Sequence, residues 1–139
     1  MSIVPRPCAA IFDLDGTVVD NMFLHAEAFA VFAERHRLPP LTPADRAKLD
    51  GRRNSEIFPV LFGREMAREE WLAYEHEKEA LYRQVSRGRL RRVAGLPALL
   101  DRLHAERIAV AIATSAPELN VSHTLGEIGD SISVAALVS

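Results

Sequence analysis

Residues 8–17 read CAAIFDLDGT and form the most informative segment of this 139-residue chain. The apolar run over residues 8–14 has no helical spacing and ends at the turn-forming pair Asp15-Gly16. Such a pattern is typical of a buried parallel strand that runs into a tight turn. We therefore predict a strand whose carboxyl end carries Asp13 and Asp15.

Helical patterns, and no second strand, follow this first strand. Four such segments can be distinguished: residues 23–36, a helix after Thr42 and Pro43, a short helix after residue 51, and a long helix over residues 64–87. Thr42 is expected to cap its helix, and the missing N–H of Pro43 costs nothing in a first turn. The long helix is expected to bury one apolar stripe, formed by Trp71, Tyr74, Leu81 and Val85.

Alternation of helix and strand resumes in the second half of the chain. It comprises a helix over residues 96–103, a buried strand over residues 108–113 (IAVAIA), a helix from Pro117 to about Leu125, and a strand over residues 132–138. Parallel strands joined by helical crossovers are apolar throughout, as these strands are. The pattern predicts an α/β fold whose sheet is formed by residues 1–20 and 90–139, with residues 21–89 inserted as helices.

Polar side chains stand at the carboxyl ends of two predicted strands, which is where open parallel sheets bind their ligands. Asp13 and Asp15 follow the first strand, and Thr114 and Ser115 follow the second. Because one residue separates the two aspartates, both carboxylates can face the same crevice. One ionised carboxylate can then attack as a nucleophile, while its neighbour serves as general acid and base.

Simpler interpretations of the same residues exist. The aspartate pair also fits a capped turn or a calcium-binding loop, but a calcium loop needs further oxygen ligands, and apolar side chains at positions 18, 19 and 22 interrupt that run. The hydroxyls after the second strand also fit a helix cap, with Ser115 as the cap and Thr114 left to bind a ligand.

The motifs at both strand ends carry a resemblance to a known family. The sequence D-L-D-G-T after an apolar strand resembles the first motif of the haloacid dehalogenase-like hydrolase superfamily, and A-T-S-A at residues 113–116 resembles the second. The helical insertion directly after the first strand is similar to the subfamily that includes β-phosphoglucomutase and many sugar-phosphate phosphatases. The resemblance covers the whole chain and implies a doubly wound Rossmann-like parallel sheet, incomplete here, with residues 21–89 as a helical cap.

Further residues resemble mutase-like members of this subfamily. Residues 16–20 read GTVVD and are followed by Asn21, where Ser or Thr is commoner, and then by His25. The segment GRRN is similar to a cap loop that touches substrate, which implies substrate contacts for Arg52 and Asn54. A packed core histidine and a solvated basic turn are the alternative interpretations.

The resemblance implies a magnesium-dependent phosphatase of a small phosphorylated metabolite such as a sugar phosphate, acting through an aspartyl-phosphate; a phosphosugar mutase is the alternative. Mg²⁺ would be held by the Asp13 carboxylate and the Asp15 backbone carbonyl. Asp13 would attack phosphorus, and Asp15 would protonate the leaving alkoxide. Dehalogenases of the superfamily lack the second Asp, so Asp15 favours phosphoryl chemistry. The phosphoryl oxygens would be bound by Gly16, Thr17, Thr114 and Ser115.

Two motifs of the superfamily are absent from the sequence. The third is a Lys downstream of the second motif, whereas the lysines here are Lys48 and Lys78 in the predicted cap. The fourth is an acidic pair after a further strand, whereas the last acidic residue here is Asp130. We therefore hypothesise that these residues are part of a longer enzyme and form an inactive piece or a non-catalytic binding module by themselves. A phosphoacceptor receiver domain also uses a strand-end aspartate, but it has no helical insertion after that strand.

Composition narrows the remaining classes. The formal net charge is -2, with 48% hydrophobic and 26% charged residues, so nothing in the charge balance favours nucleic acid or an anionic membrane as a partner. Cys8 is the single cysteine, and no segment resembles a signal peptide or is apolar for long enough to span a bilayer. We expect a cytoplasmic protein, and the sequence carries no indication of its oligomeric state.

Overall fold

The computed structural model describes residues 9–49, 52–129 and 137–138. Within those residues the strands are β1 (Ala9–Phe12), β2 (Ala109–Ala113) and β3 (Leu137–Val138). The helices are α1 (Met22–Arg35), α2 (Pro43–Leu49), α3 (Asn54–Phe62), α4 (Arg68–Ser86), α5 (Leu96–Ala105) and α6 (Glu118–Ile128).

The three strands form one parallel sheet in the order β1-β2-β3. β1 and β2 pair from Ala9 opposite Ala109 to Phe12 opposite Ile112, and β3 continues in the same direction beside β2. This sheet, with helices between its strands, confirms the predicted α/β class and its incomplete Rossmann-like sheet. Of the predicted last strand, residues 132–136 lie outside the described part of the chain.

The first two strands are less buried than their apolar sequences predict. Ile11 of β1 is 70% exposed, and along β2 Ile112 is buried while Ala109 and Ala113 are exposed. The prediction of continuously buried strands is therefore wrong for the described residues. A parallel strand is fully buried only where neighbours flank it and helices cover both faces, and β1 lies at the edge of the described sheet.

The chain divides into two compact units. The sheet unit comprises Met1–Met22 and Arg87–Ser139, and the helical unit comprises Phe23–Ser86. The sequence predicted that residues 21–89 form a helical cap over a substrate site. That role of the helical unit stays a prediction.

The helical unit has an aromatic core. Phe32 and Phe58 are fully buried, with their ring centroids 5.3 Å apart. Tyr74 of α4 meets Phe32 edge-on at 5.8 Å and stacks on Phe62 at 4.6 Å. Offset and edge-to-face pairs at such distances add to the free energy of burying the rings. These rings hold α1, α3 and α4 together.

Local signals set the ends of the helices in this unit. Thr42 caps α2 as predicted, because its hydroxyl accepts the Asp45 N–H at 3.2 Å while the Asp45 carboxylate accepts the Thr42 N–H at 3.3 Å. Gly63, with φ of +64°, ends α3. The long helix begins at Arg68, four residues later than predicted.

The buried face of α4 differs from the predicted apolar stripe. Leu81 is buried as expected, but Trp71, Tyr74 and Val85 are only half-buried. The most buried side chains of the helix also include two charged ones, Lys78 and Glu79. The predicted residues are thus all at least half-buried, but the buried face also contains an ion pair, which the spacing of apolar residues does not indicate.

Two extended segments lie side by side in the sheet unit. Val19 and Arg92 form an antiparallel bridge, and the Asp20 N–H donates to the Arg91 carbonyl at 2.9 Å. The Arg92 guanidinium in turn donates to the Ile128 carbonyl at the end of α6, at 2.7 Å. These bonds anchor the residues that follow the turn after β1.

Candidate active site

A tight turn after β1 positions the predicted site residues. Leu14 is fully buried, and its carbonyl accepts hydrogen bonds from the N–H groups of Thr17, Val18 and Val19 at 3.4, 3.0 and 3.1 Å. Val18 and Val19 are buried as well. The apolar side chains of the turn therefore anchor it in the sheet unit, while the aspartates on either side of Leu14 are left nearer to solvent.

Gly16 is required by the geometry of this turn. Its φ of +73° is a conformation that L side chains rarely adopt, and a Cβ there would lie 3.2 Å from Cγ of Met22. The Gly16 N–H donates to the Val19 carbonyl at 2.9 Å, and the Thr17 N–H is used by Leu14. A phosphate contact predicted for Thr17 would therefore have to come from its exposed side chain.

Asp13 lies directly after β1, and its side chain is exposed. Its Oδ1 accepts the N–H of Leu14 at 2.7 Å, which orients the carboxylate at the strand end. An exposed and oriented carboxylate has the access that a nucleophile needs. The assignment of Asp13 as the nucleophile stays a prediction.

Asp15 is half-buried and is held by a side chain that the sequence did not single out as functional. Nδ2 of Asn21 donates to Asp15 Oδ1 at 2.5 Å, and Oδ1 of Asn21 accepts the Gly16 N–H at 3.1 Å. Asn21 itself is fully buried. The only signal for this role in the sequence was that Asn21 follows residues 16–20 at a position where Ser or Thr is commoner.

Thr114 and Ser115 follow β2 at the carboxyl-terminal edge of the sheet, the edge at which β1 also ends. Because Phe12 pairs with Ile112 in parallel register, the aspartates after β1 and the hydroxyls after β2 share that edge. The Thr114 hydroxyl accepts the Ala116 N–H at 3.0 Å, so its own hydrogen is directed elsewhere.

The alternative interpretation of Ser115 as a helix cap is wrong. Helix α6 begins at Glu118, with Pro117 in the capping position, and no side chain caps it. A role of Thr114 and Ser115 in phosphate binding stays a prediction.

The predicted cap residues lie in the helical unit, and two of them belong to one polar network. His25 stacks on Tyr82 with ring centroids 3.9 Å apart, and its Nδ1 lies 3.3 Å from Nζ of Lys78. Asn54 Nδ2 donates to Glu79 Oε1 at 3.3 Å. Lys78 and Glu79 form an ion pair at 2.8 Å, which joins the two ends of the network.

Arg52 differs from His25 and Asn54, the other residues predicted to contact substrate, because its side chain is exposed. Asn54 makes a second bond, from Nδ2 to Glu75 at 2.8 Å. His25 and Asn54 are thus engaged inside the helical unit, and substrate contact for all three residues stays a prediction.

Lys78 and Glu79 are the residues that sequence reasoning missed in this unit. Their side chains are 5% and 7% exposed, and Lys78 Nζ also lies 4.7 Å from the centroid of the Phe29 ring. A buried charge of either sign is costly unless it is paired. The one available signal in the sequence was Lys78 itself, which lies between Glu77 and Glu79 on a helix that has to bury one face.

The described residues form no group of three or more His, Cys, Asp or Glu side chains that could enclose a metal ion. Among the same residues, no helix is both long and apolar enough to cross a membrane.

Comparison with known proteins gives consistent matches. A family model described as haloacid dehalogenase-like hydrolase matches residues 10–135. A HAD hydrolase, family IA, variant 3, from Entamoeba histolytica has 28% identity and a TM-score of 0.80, covering 92% of this chain and 60% of that chain.

Two further solved structures are similar in fold. They are β-phosphoglucomutase from Clostridium difficile (22% identity, TM-score 0.74, 95% of this chain and 61% of that chain) and a predicted phosphoglycolate phosphatase from Haemophilus somnus (17%, 0.73, 95% and 62%). The chain spans about 60% of the length of the structures it matches.

Proposed function

The chain belongs to the haloacid dehalogenase-like hydrolase family, and from that premise we propose that the whole protein is a magnesium-dependent phosphatase. Its substrate would be a small phosphorylated metabolite of the sugar-phosphate class. One observation carries this proposal: an exposed Asp13, an oriented Asp15 and the Thr114 hydroxyl share one edge of the parallel sheet.

Asp13 would serve as the nucleophile in line with the leaving group. A bond forms between an Asp13 carboxylate oxygen and phosphorus while the bond from phosphorus to the leaving oxygen breaks, which gives an aspartyl-phosphate. The exposed position of Asp13 supports this role, because a phosphate monoester has to reach the carboxylate.

Asp15 would supply the proton that the leaving alkoxide needs, and would then remove a proton from the water that hydrolyses the aspartyl-phosphate. Its half-buried position beside Asn21 supports the role of general acid and base for Asp15, with Asp13 as the nucleophile. The Thr114 hydroxyl would donate to a phosphoryl oxygen, because the Ala116 N–H already faces its lone pair.

The residues of the turn fit Mg²⁺. Mg²⁺ prefers hard oxygen ligands and is commonly bound by one or two carboxylates with waters and substrate phosphate, and the turn offers exposed carboxylate oxygens at Asp13. The Asp13 carboxylate and the Asp15 carbonyl would hold the ion. When bound, it would neutralise charge between the carboxylate and the phosphate dianion.

Hydrolysis of p-nitrophenyl phosphate by the natural full-length protein tests the proposal. We expect Mg²⁺-dependent release of nitrophenolate, lost on addition of EDTA and in Asp13→Asn. Asp20→Asn is the matched control, because Asp20 is an exposed aspartate that is not assigned to the chemistry. Equal rates for the wild type and Asp13→Asn would refute the nucleophile assignment.

A phosphosugar mutase is the second candidate, supported by the resemblance of the segment from Asp13 to His25 to mutase-like proteins. A mutase returns the phosphoryl group to a sugar, whereas a phosphatase transfers it to water. Incubation with a panel of sugar phosphates, followed by assay of inorganic phosphate and of isomeric sugar phosphates, separates the two.

A further inference from the structure

We infer that Asn21 is a positioning residue, which holds Asp15 in the orientation needed to protonate the leaving group. The inference rests on the proposed function, because it concerns the proton that Asp15 would deliver. It adds a residue to which neither the motifs nor the family comparison gives a role.

The atoms of the Asn21 amide can be assigned from their partners. The Gly16 N–H is a donor and must face an acceptor, so the amide oxygen lies 3.1 Å from it. The amide nitrogen consequently faces Asp15 Oδ1, at 2.5 Å. The side chain therefore bridges two consecutive residues of the turn in the only orientation in which both contacts are attractive.

Other hydrogen bonds besides this bridge also hold the shape of the turn. The Leu14 carbonyl already accepts three N–H groups of the turn, and the Gly16 N–H also donates to the Val19 carbonyl. Gly16 supplies the left-handed residue. The contribution specific to Asn21 is thus the bond to Asp15, which restricts rotation of a carboxylate side chain.

Burial makes this restraint effective. Asn21 is fully buried, so its amide has no competing bulk water, and an unsatisfied buried amide would be costly. The bond from the amide to Oδ1 restricts rotation of the Asp15 carboxyl group and so limits the directions in which Oδ2 can point. A general acid needs this kind of fixed geometry, because misplacement by about 1 Å can cost about 100-fold in rate.

The consequence depends on the leaving group. An alkoxide needs a proton as it leaves phosphorus, whereas nitrophenolate leaves without one. Loss of the restraint on Asp15 should therefore slow hydrolysis of an alkyl phosphate much more than hydrolysis of p-nitrophenyl phosphate. A substitution that merely lowered the folded fraction would reduce both rates equally, so the ratio of the two rates isolates positioning from stability.

The test measures kcat/KM of the natural full-length protein on glycerol 2-phosphate and on p-nitrophenyl phosphate, for the wild type, Asn21→Ala, Asn21→Asp and Asn21→Ser. For Asn21→Ala we expect about a 30-fold loss on the alkyl ester and less than about a threefold loss on the aryl ester, the former being part of the roughly 100- to 10,000-fold that general acid–base catalysis contributes. Asn21→Asp keeps an acceptor for Gly16 but replaces the donor to Asp15 with a second carboxylate that repels it, so its loss on the alkyl ester should be at least as large as that of Asn21→Ala. Asn21→Ser keeps a small donor and should recover part of the loss.

Asp15→Asn provides the reference signature, because it removes the acid itself. An equal loss on both esters in Asn21→Ala and Asn21→Asp would overturn the inference while leaving the proposed function in place. If the wild type hydrolysed neither ester, or if Asp13→Asn hydrolysed both normally, the proposed function would fall and this inference with it.

Discussion

The turn after β1 and the polar network of the helical unit are both built from charged and amide side chains, but they differ in exposure. Asp13 of the turn is exposed, whereas Lys78 and Glu79 of the network are buried and paired with each other. An exposed carboxylate is available to react and adds little to stability. A buried ion pair stabilises only while both partners are present. The comparison teaches that the exposure of a charged side chain, and not its polarity alone, separates a residue available for chemistry from one that holds the packing together.

The largest expected effect concerns Asp13. In the natural full-length protein, Asp13→Asn should lower kcat/KM on p-nitrophenyl phosphate by about 1,000-fold or more, since nothing replaces a lost nucleophile. Because the Asp13 side chain is exposed, the substitution should change the free energy of unfolding of the protein, measured in urea, by less than about 0.5 kcal/mol. A large loss of stability together with activity would break the comparison.

Lys78 should show the opposite behaviour. Lys78→Met removes the paired Lys78 cation from a buried carboxylate, and we expect the unfolding free energy to fall by about 3 kcal/mol. The double variant Lys78→Met/Glu79→Gln removes both charges and should recover part of that loss. Urea denaturation followed by circular dichroism measures all of these values. A loss below about 1 kcal/mol for Lys78→Met would show that the pair is not buried in solution.

Asn54 and Arg52 sharpen the comparison within the predicted cap loop. Asn54→Ala removes bonds to two carboxylates and should cost about 1.5 kcal/mol of stability. Arg52→Ala, on an exposed side chain, should change stability by less than about 0.5 kcal/mol. If the loop touches substrate, Arg52→Ala should still raise KM for a sugar phosphate. An unchanged KM in both variants would refute the predicted substrate contacts.

The smallest effect is expected for a surface ion pair of the helical unit. The Arg64 guanidinium forms a bidentate hydrogen-bonded pair with Glu70, which lowers the pKa of that carboxyl below its ordinary value of about 4.5. A lowered pKa means that the stabilisation is complete above the ordinary value and is lost as pH falls through the lowered one.

Melting temperatures of the wild type and Glu70→Gln test this assignment. The wild type should melt slightly higher at neutral pH, and the difference should disappear in acid and shrink at high salt. A difference that grew on acidification would contradict the sign. Because the pair between Arg64 and Glu70 faces solvent, Glu70→Gln should lower the melting temperature by less than Lys78→Met does.

Much of the fold could be predicted from local sequence. Three predictions that depend only on neighbouring residues agree with the structure: the DLDGT turn, the capping of α2 by Thr42 and the position of β2 in the sequence. Burial of the strands could not be predicted in this way. An apolar run states what a strand can bury, whereas the exposure of Ile11 depends on which elements lie against it.

The candidate site divides along the same line. The sequence by itself determined the carboxylate pair, the glycine that allows their turn and the hydroxyls after β2, because these are short-range patterns with a geometric cause. Only the tertiary structure revealed that Asn21 holds Asp15 and that Lys78 joins His25 to Glu79. Such partnerships arise when burial removes water and each polar atom must find another, and no local pattern records which one it finds.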